Sequence, residues 1–216
     1  MDPIEQQQRA AIVSAVQEMG PLGISQGTSG NISVRFGEQL LITPSGVPYA
    51  EMNLDQILVM DFDGNWQGEG EPSSEWRFHR DIMRSRPDVN AVVHGHPLYA
   101  TSLAICRREI PAVHYMIAAA GGATVRCAEY ATFGSEALSR NALLALRERN
   151  CCLLANHGMI ALGSDLKKAM WLAVELENLA HQYVTSLRIG SPHILSAAEI
   201  EKNIELFRNY GPKELK

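Results

Sequence analysis

The 216-residue sequence has no block of lysine or arginine, no apolar run long enough to cross a bilayer, no Cys-x-x-Cys spacing, no internal repeat and no low-complexity tract. Each absence removes a class of function. With 19 Lys and Arg against 24 Asp and Glu, the formal net charge of −5 argues against a nucleic-acid or membrane surface as the main partner. Any anionic ligand must then be held by local groups rather than by a basic field. The first residues carry acids and glutamines instead of the basic and apolar regions of a signal peptide. Cys106, Cys127, Cys151 and Cys152 lack metal or redox spacing, and the adjacent pair lies in an apolar stretch, so buried thiols in a reducing compartment are expected. The cytoplasm is the expected location.

What is present fits an ordinary globular chain, 46% hydrophobic and 20% charged. Its length can bury a full core, and without a linker it is expected to form a single domain, residues 1–216. Asp2-Pro3 is a helix cap and first turn, with Ile4, Ala11, Ala15 and Met19 expected on one buried face and Gly20-Pro21 as the stop. Strands are predicted at 32–36, 39–43, 57–62, 91–94 and 151–155, and helices at 73–86, 134–150, 165–189 and 196–210. The short, turn-linked strands at the start leave no room for crossover helices. An α/β/α layering follows, with a mixed or mainly antiparallel sheet covered by helices.

The sharpest local signal is His94-Gly95-His96-Pro97 at the end of a predicted strand. Residues i and i+2 of a strand share a face, so both imidazoles can reach one ion. His157, in Asn156-His157-Gly158 at another strand end, can supply a third nitrogen. Three nitrogens plus an open or carboxylate-filled position is the pattern of a catalytic zinc site, though His-x-His also arises by chance. His114, His181 and His193 have no such context. Ser73-Ser74-Glu75-Trp76 lies at a predicted helix start, where unpaired N–H groups favour anions. Gly27-Thr28-Ser29-Gly30-Asn31 and Thr43-Pro44-Ser45-Gly46 add hydroxyls and backbone N–H groups in turns. Each is an ordinary loop by itself. Together they can form a phosphate nest without a single lysine.

QGTSGNISVR, ITPSGVPY, PSSEWRFH, AVVHGHP, IPAVHYMIAAAGG, YATFG, NHGMIA and LFRNYG occur in this order over nearly the whole chain. The series resembles the class II aldolase/adducin family. The resemblance implies one zinc ion per chain, held by His94, His96 and His157, with Glu75 binding the metal without substrate and leaving it to act as base. It implies a phosphate site from Gly30, Asn31, Ser45, Gly46, Ser73 and Ser74, an acid, Tyr115, reaching in from a neighbouring subunit, and a binding role for Tyr210. The family fold is a central antiparallel sheet between helices, assembled as a homotetramer with sites at subunit interfaces. The implied reaction is reversible cleavage of a ketose 1-phosphate of the L-fuculose 1-phosphate type into glycerone phosphate and an aldehyde. The alternatives are 5-deoxyribulose or 5-methylthioribulose 1-phosphate as substrate, a sugar-phosphate epimerase or dehydratase, and a non-catalytic adducin-like module. Tyr99 stands where the fuculose-type enzymes carry a further histidine, and Ala155-Asn156 replaces their usual Gln-His. His79, one turn beyond Glu75, is the next candidate base.

Overall fold

The computed structural model describes residues 2–208. Helix α1 (Pro3–Met19) opens the chain, with the Asp2 carboxylate accepting from the Ile4 N–H as its cap. Strands β1 (Asn31–Phe36), β2 (Gln39–Ile42), β3 (Leu58–Asp61) and β4 (Trp66–Gln67) follow as a meander of neighbouring strands. Then come α2 (Trp76–Ser85), β5 (Ala91–Gly95), α3 (Leu98–Ile105) and β6 (Ile110–Pro111). A 3₁₀ segment, Tyr115–Ala120, leads to β7 (Thr124–Val125), β8 (Cys127–Ala128) and α4 (Glu136–Ala145). The last third holds β9 (Cys151–Leu154), β10 (Gly158–Gly163), α5 (Leu166–Ile189) and α6 (Ala197–Arg208).

Eight strands form one sheet in the order β4-β3-β2-β1-β5-β10-β9-β8, antiparallel throughout except for β8 beside β9. The pleat sends alternate residues to opposite faces, and each face has its own core. Ala91 and Val93 of β5 pack among residues of α1, α3, α5 and α6, whereas Val92 packs with Phe78, Ile82 and Leu138 of α2 and α4. Helices therefore cover both faces, the expected α/β/α layering. Among the described residues no helix is long and apolar enough to cross a membrane.

Several local expectations need correction. Ile4 and Ala11 of α1 are exposed, and the buried face is Arg9, Ile12, Ala15, Val16 and Met19. Arg9 belongs there because its guanidinium reaches the carbonyls of Leu54 and Ile57 and pairs with Glu5, so its charge is satisfied while its stem is buried. Helix α2 starts three residues after the predicted Ser73, with Glu75 at the cap position, and Ser73 Oγ accepts a 3.3 Å bond from the Glu75 N–H instead. Helix α3 and strand β10 went unpredicted. The first N–H groups of α3, at Tyr99 and Ala100, donate to the Glu177 carboxylate of α5, a cap no local sequence window contains. Tyr210 lies outside the described residues.

Candidate active site

One end of the sheet collects the chemistry. Antiparallel pairing sets Asn31 of β1 opposite His94 of β5, and Ile160 of β10 on the other side of His94. His94 occupies the face shared with Val92, where its ring meets Phe78 of α2 edge-on at 5.4 Å. His96 follows just beyond the strand. His157 sits in the turn joining β9 to β10, where Asn156 takes φ 54°, a left-handed conformation that asparagine tolerates. Gly158 permits the approach of β10, because a Cβ there would lie 2.4 Å from the Gly95 carbonyl and 2.5 Å from the His96 ring. The start of α2 brings its cap residue, Glu75, to these three.

The ligand atoms of His94, His96 and His157 lie within 4.8 Å of one another. His94 Nε2 is 3.1 Å from His96 Nε2 and 3.0 Å from Glu75 Oε2, and His157 Nε2 is 3.3 Å from Glu75 Oε1. The three short contacts lie near the roughly 3.3 Å between ligands of a tetrahedral ion with bonds of about 2.0–2.1 Å, the two to Glu75 being made by its two different oxygens. The hydrogen bonding agrees. His94 Nδ1 lies 2.8 Å from the Met159 carbonyl, which only accepts, so Nδ1 carries a proton and Nε2 is the ring nitrogen turned towards Glu75 and His96. Burial opposes a charge on His94, but the Glu75 carboxylate and the Met159 carbonyl outweigh it and raise the ring above its ordinary value. Glu75 Oε1 is buried without a hydrogen bond, its contact with His157 being a charge contact of poor angle. Burial, then the neighbouring His94, push His96 and His157 down to about 4, so both are neutral imidazoles at pH 7, the ligating form. Burial opposes ionisation of Glu75, but His94, His157 and the Asn31 amide outweigh it and hold the carboxyl well below its ordinary range. Three imidazole nitrogens and a carboxylate converging on one point fit a divalent cation, which would take the place of the proton that His94 shares with Glu75.

The metal cluster floors a cleft of about 370 Å³ lined by Thr28, Ser29, Ser74, Glu75, His96, Tyr130, Ala131, Phe133, Asn156 and His157. Hydroxyls and aromatic rings both line it. Ser74, Thr28 and Ser29 are exposed in the cleft, whereas Ser73 is buried. Backbone bonds from Ser45 N to Glu71 O (2.9 Å) and Ser73 N to Thr43 O (2.9 Å), around an isolated Pro44–Pro72 bridge, bring the 43–46 turn against the 71–75 segment. Ser45 and Gly46 are exposed beside it. Gly30 and Asn31 are placed differently: the Gly30 N–H donates to Tyr49 Oη at 2.5 Å, and Asn31 turns inward to Glu75 and His79. A side chain at position 30 would strike the His94 carbonyl at 2.6 Å, so this glycine sets the β1–β5 approach.

Tyr115 is absent from the cleft lining; it stands 48% exposed, stacked near Phe207 at 6.4 Å. Its own chain does not bring it to Glu75. Tyr99 stacks on His181 at 3.9 Å and also stays out of the lining. His79 is fully buried with both ring nitrogens engaged, which leaves it no lone pair for a ligand. Sequence reasoning overlooked Tyr130 and Phe133 as cleft walls; their exposure, 54% and 64%, is unusual for aromatic residues and becomes visible only in three dimensions.

Residues 10–184 match the class II aldolase and adducin N-terminal domain. The chain belongs to that family. It is 52% identical over 203 residues to the 5-methylthioribulose-1-phosphate/5-deoxyribulose-1-phosphate aldolase of Rhodospirillum rubrum, covering 94% of this chain and 92% of that one. It is 49% identical over 201 residues to the L-fuculose phosphate aldolase of Escherichia coli strain K12, covering 93% and 94%. Among solved structures, an L-fuculose 1-phosphate aldolase superposes with a TM-score of 0.91 at 38% identity, covering 96% of this chain and 98% of that one.

Proposed function

We propose that this family member is a metal-dependent aldehyde-lyase that reversibly cleaves a ketose 1-phosphate into glycerone phosphate and a short aldehyde. The observation carrying the reading is a cluster of three histidines and Glu75 beside a cleft lined by hydroxyls and aromatic rings. Zinc is the proposed metal, one ion per chain, held by His94, His96 and His157 with Glu75 as fourth ligand before substrate enters. When bound, such an ion supplies Lewis-acid stabilisation of the negative charge that develops as the carbon–carbon bond breaks.

The chain's own residues do the rest. Ser74 and Ser73 at the start of α2, with Ser45 and Gly46 of the adjoining turn, bind the phosphate, assisted by Tyr210 near the C-terminus. Glu75 exchanges a proton with the carbon beside the ketone. Tyr130 and Phe133 give the cleft an aromatic lining, which suits a sugar with an apolar terminus. L-Fuculose 1-phosphate, yielding lactaldehyde, is the leading substrate. 5-Deoxyribulose or 5-methylthioribulose 1-phosphate is the second reading, favoured by the same aromatic wall and by the identity to the Rhodospirillum rubrum relative. A panel of these three phosphates and their free sugars, scored for released glycerone phosphate, tests both. Cleavage is expected of a phosphate and not of its free sugar. Ser74→Ala should raise KM by one to two decades, since a donor to a charged oxygen contributes roughly 1.5–3 kcal/mol. Equal turnover of an unphosphorylated ketose would overturn the assignment.

The proposed working unit is a cytoplasmic homotetramer of single-domain chains, residues 1–216, with Tyr115 of one subunit serving as acid in its neighbour's cleft. The supporting observation is that Tyr115 is exposed and does not reach the cleft of its own chain. Co-assembly of inactive Glu75→Gln and Tyr115→Phe chains tests it. In a shared site the two residues come from different chains, so random mixing at equal amounts should restore about a quarter of wild-type activity. Hybrids as inactive as their parents, with mixing verified, would exclude the shared site.

A further inference from the structure

A buried chain of hydrogen bonds runs behind Glu75 and never touches the cleft. Asn31 Nδ2 donates to Glu75 Oε2 at 3.0 Å. A carboxylate only accepts, so this bond fixes which end of the Asn31 amide faces Glu75 and leaves Oδ1 pointing away. That oxygen lies 2.5 Å from His79 Nε2, which must therefore be the protonated ring nitrogen. His79 Nδ1 then holds the lone pair and accepts from Ser33 Oγ at 2.7 Å. Asn31, Ser33 and His79 are all buried, Ser33 and His79 completely. Burial pushes His79 down to about 3, in keeping with the neutral ring that these hydrogen bonds assign. Every donor in the series points the same way, from Ser33 through His79 and Asn31 to Glu75.

We infer that His79 is a positioning residue for Glu75, acting through Asn31: its Nε2–H locks the amide in the one orientation that presents an N–H to the carboxylate. Without that lock, a flip of the Asn31 side chain would set Oδ1 against Glu75, acceptor against acceptor, and the carboxylate would lose the partner that aims it. The inference rests on the reading of Glu75 as metal ligand and base. Groups that hold a metal ligand in place commonly matter about 10–100-fold in metal affinity or activity.

Two amides of different reach separate this role from simple packing. In His79→Gln the side-chain nitrogen can occupy the place of Nε2 and donate to Asn31. In His79→Asn the nitrogen reaches only the place of Nδ1, beside Ser33. Each variant and the wild type are measured for zinc affinity, by competition with a chelator on the metal-free protein, and for kcat and KM well below each melting temperature. The glutamine variant should stay within about threefold of wild type in both. The asparagine variant should lose about 10–100-fold in zinc affinity and in kcat, with KM little changed. Should the asparagine variant fail to fold, His79→Leu takes its place, filling the volume without a donor. Two amide variants that behave alike, or losses that follow melting temperature alone, would overturn the inference. Wild-type zinc binding and cleavage, recorded in the same series, report on the underlying reading separately; a wild type lacking both would remove that reading, and this one with it.

Discussion

Removing the metal should abolish cleavage and lower the melting temperature by roughly ten degrees. A ligand that binds only the folded chain stabilises it by about 4 kcal/mol when present at a thousand times its dissociation constant. For a chain of this size each kcal/mol moves the midpoint by about 2–4 °C. The structure says why the folded state alone can bind: the donors come from β5, the β9–β10 turn and the start of α2, and only the folded sheet brings them together. His94→Ala is the sharper version. His94 is fully buried and lies within 3.1 Å of both His96 and Glu75, so its loss removes the donor common to both contacts. The expectation is loss of zinc on dialysis and no detectable cleavage, a larger effect than the roughly 10–100-fold that follows loss of a group merely orienting a ligand. Elemental analysis and the glycerone phosphate assay check it together. A His94→Ala protein that kept both metal and cleavage would refute the site.

How much of this could be read from the residues alone depends on how local each cause is. His94 and His96 were legible because a strand repeats every two residues, and the structure puts both rings on the α2 face of the sheet. His157 was legible only as a strand-end histidine; what brings it near is β10 lying beside β5, a pairing between residues more than sixty positions apart. Strand β10 was itself invisible, since Gly158–Gly163 gives no alternation and is buried on both faces. The phosphate turns looked like separate loops, and the Pro44–Pro72 bridge that joins two of them has no sequence signature. Asn31 illustrates the limit most clearly. As a turn asparagine it was assigned to the phosphate, but its side chain lies between Glu75 and His79, partners 44 and 48 residues away.

Glu75→Gln should fold, assemble and keep its metal, yet lose between about 10²- and 10⁴-fold in the exchange of solvent deuterium into glycerone phosphate, the range a positioned base contributes. The substitution exchanges one carboxylate oxygen for an amide nitrogen at nearly constant volume, so the packing around α2 is unchanged. The remaining oxygen can still accept from Asn31 Nδ2, which preserves the link to His79. The three imidazoles remain, enough for a zinc site with an open position. What disappears is a group able to take a proton, so the loss should fall on kcat with KM nearly unaltered. Metal content, KM and exchange rate then separate the roles of this one residue. Loss of zinc along with exchange would make Glu75 chiefly a ligand. Near-normal exchange with zinc retained would move the base elsewhere, and the structure narrows where. His79 cannot take over, because Ser33 and Asn31 occupy both of its nitrogens behind the cleft. Tyr130 is an exposed titratable group among the residues lining the cleft, and Tyr130→Phe in the same exchange assay would decide that case.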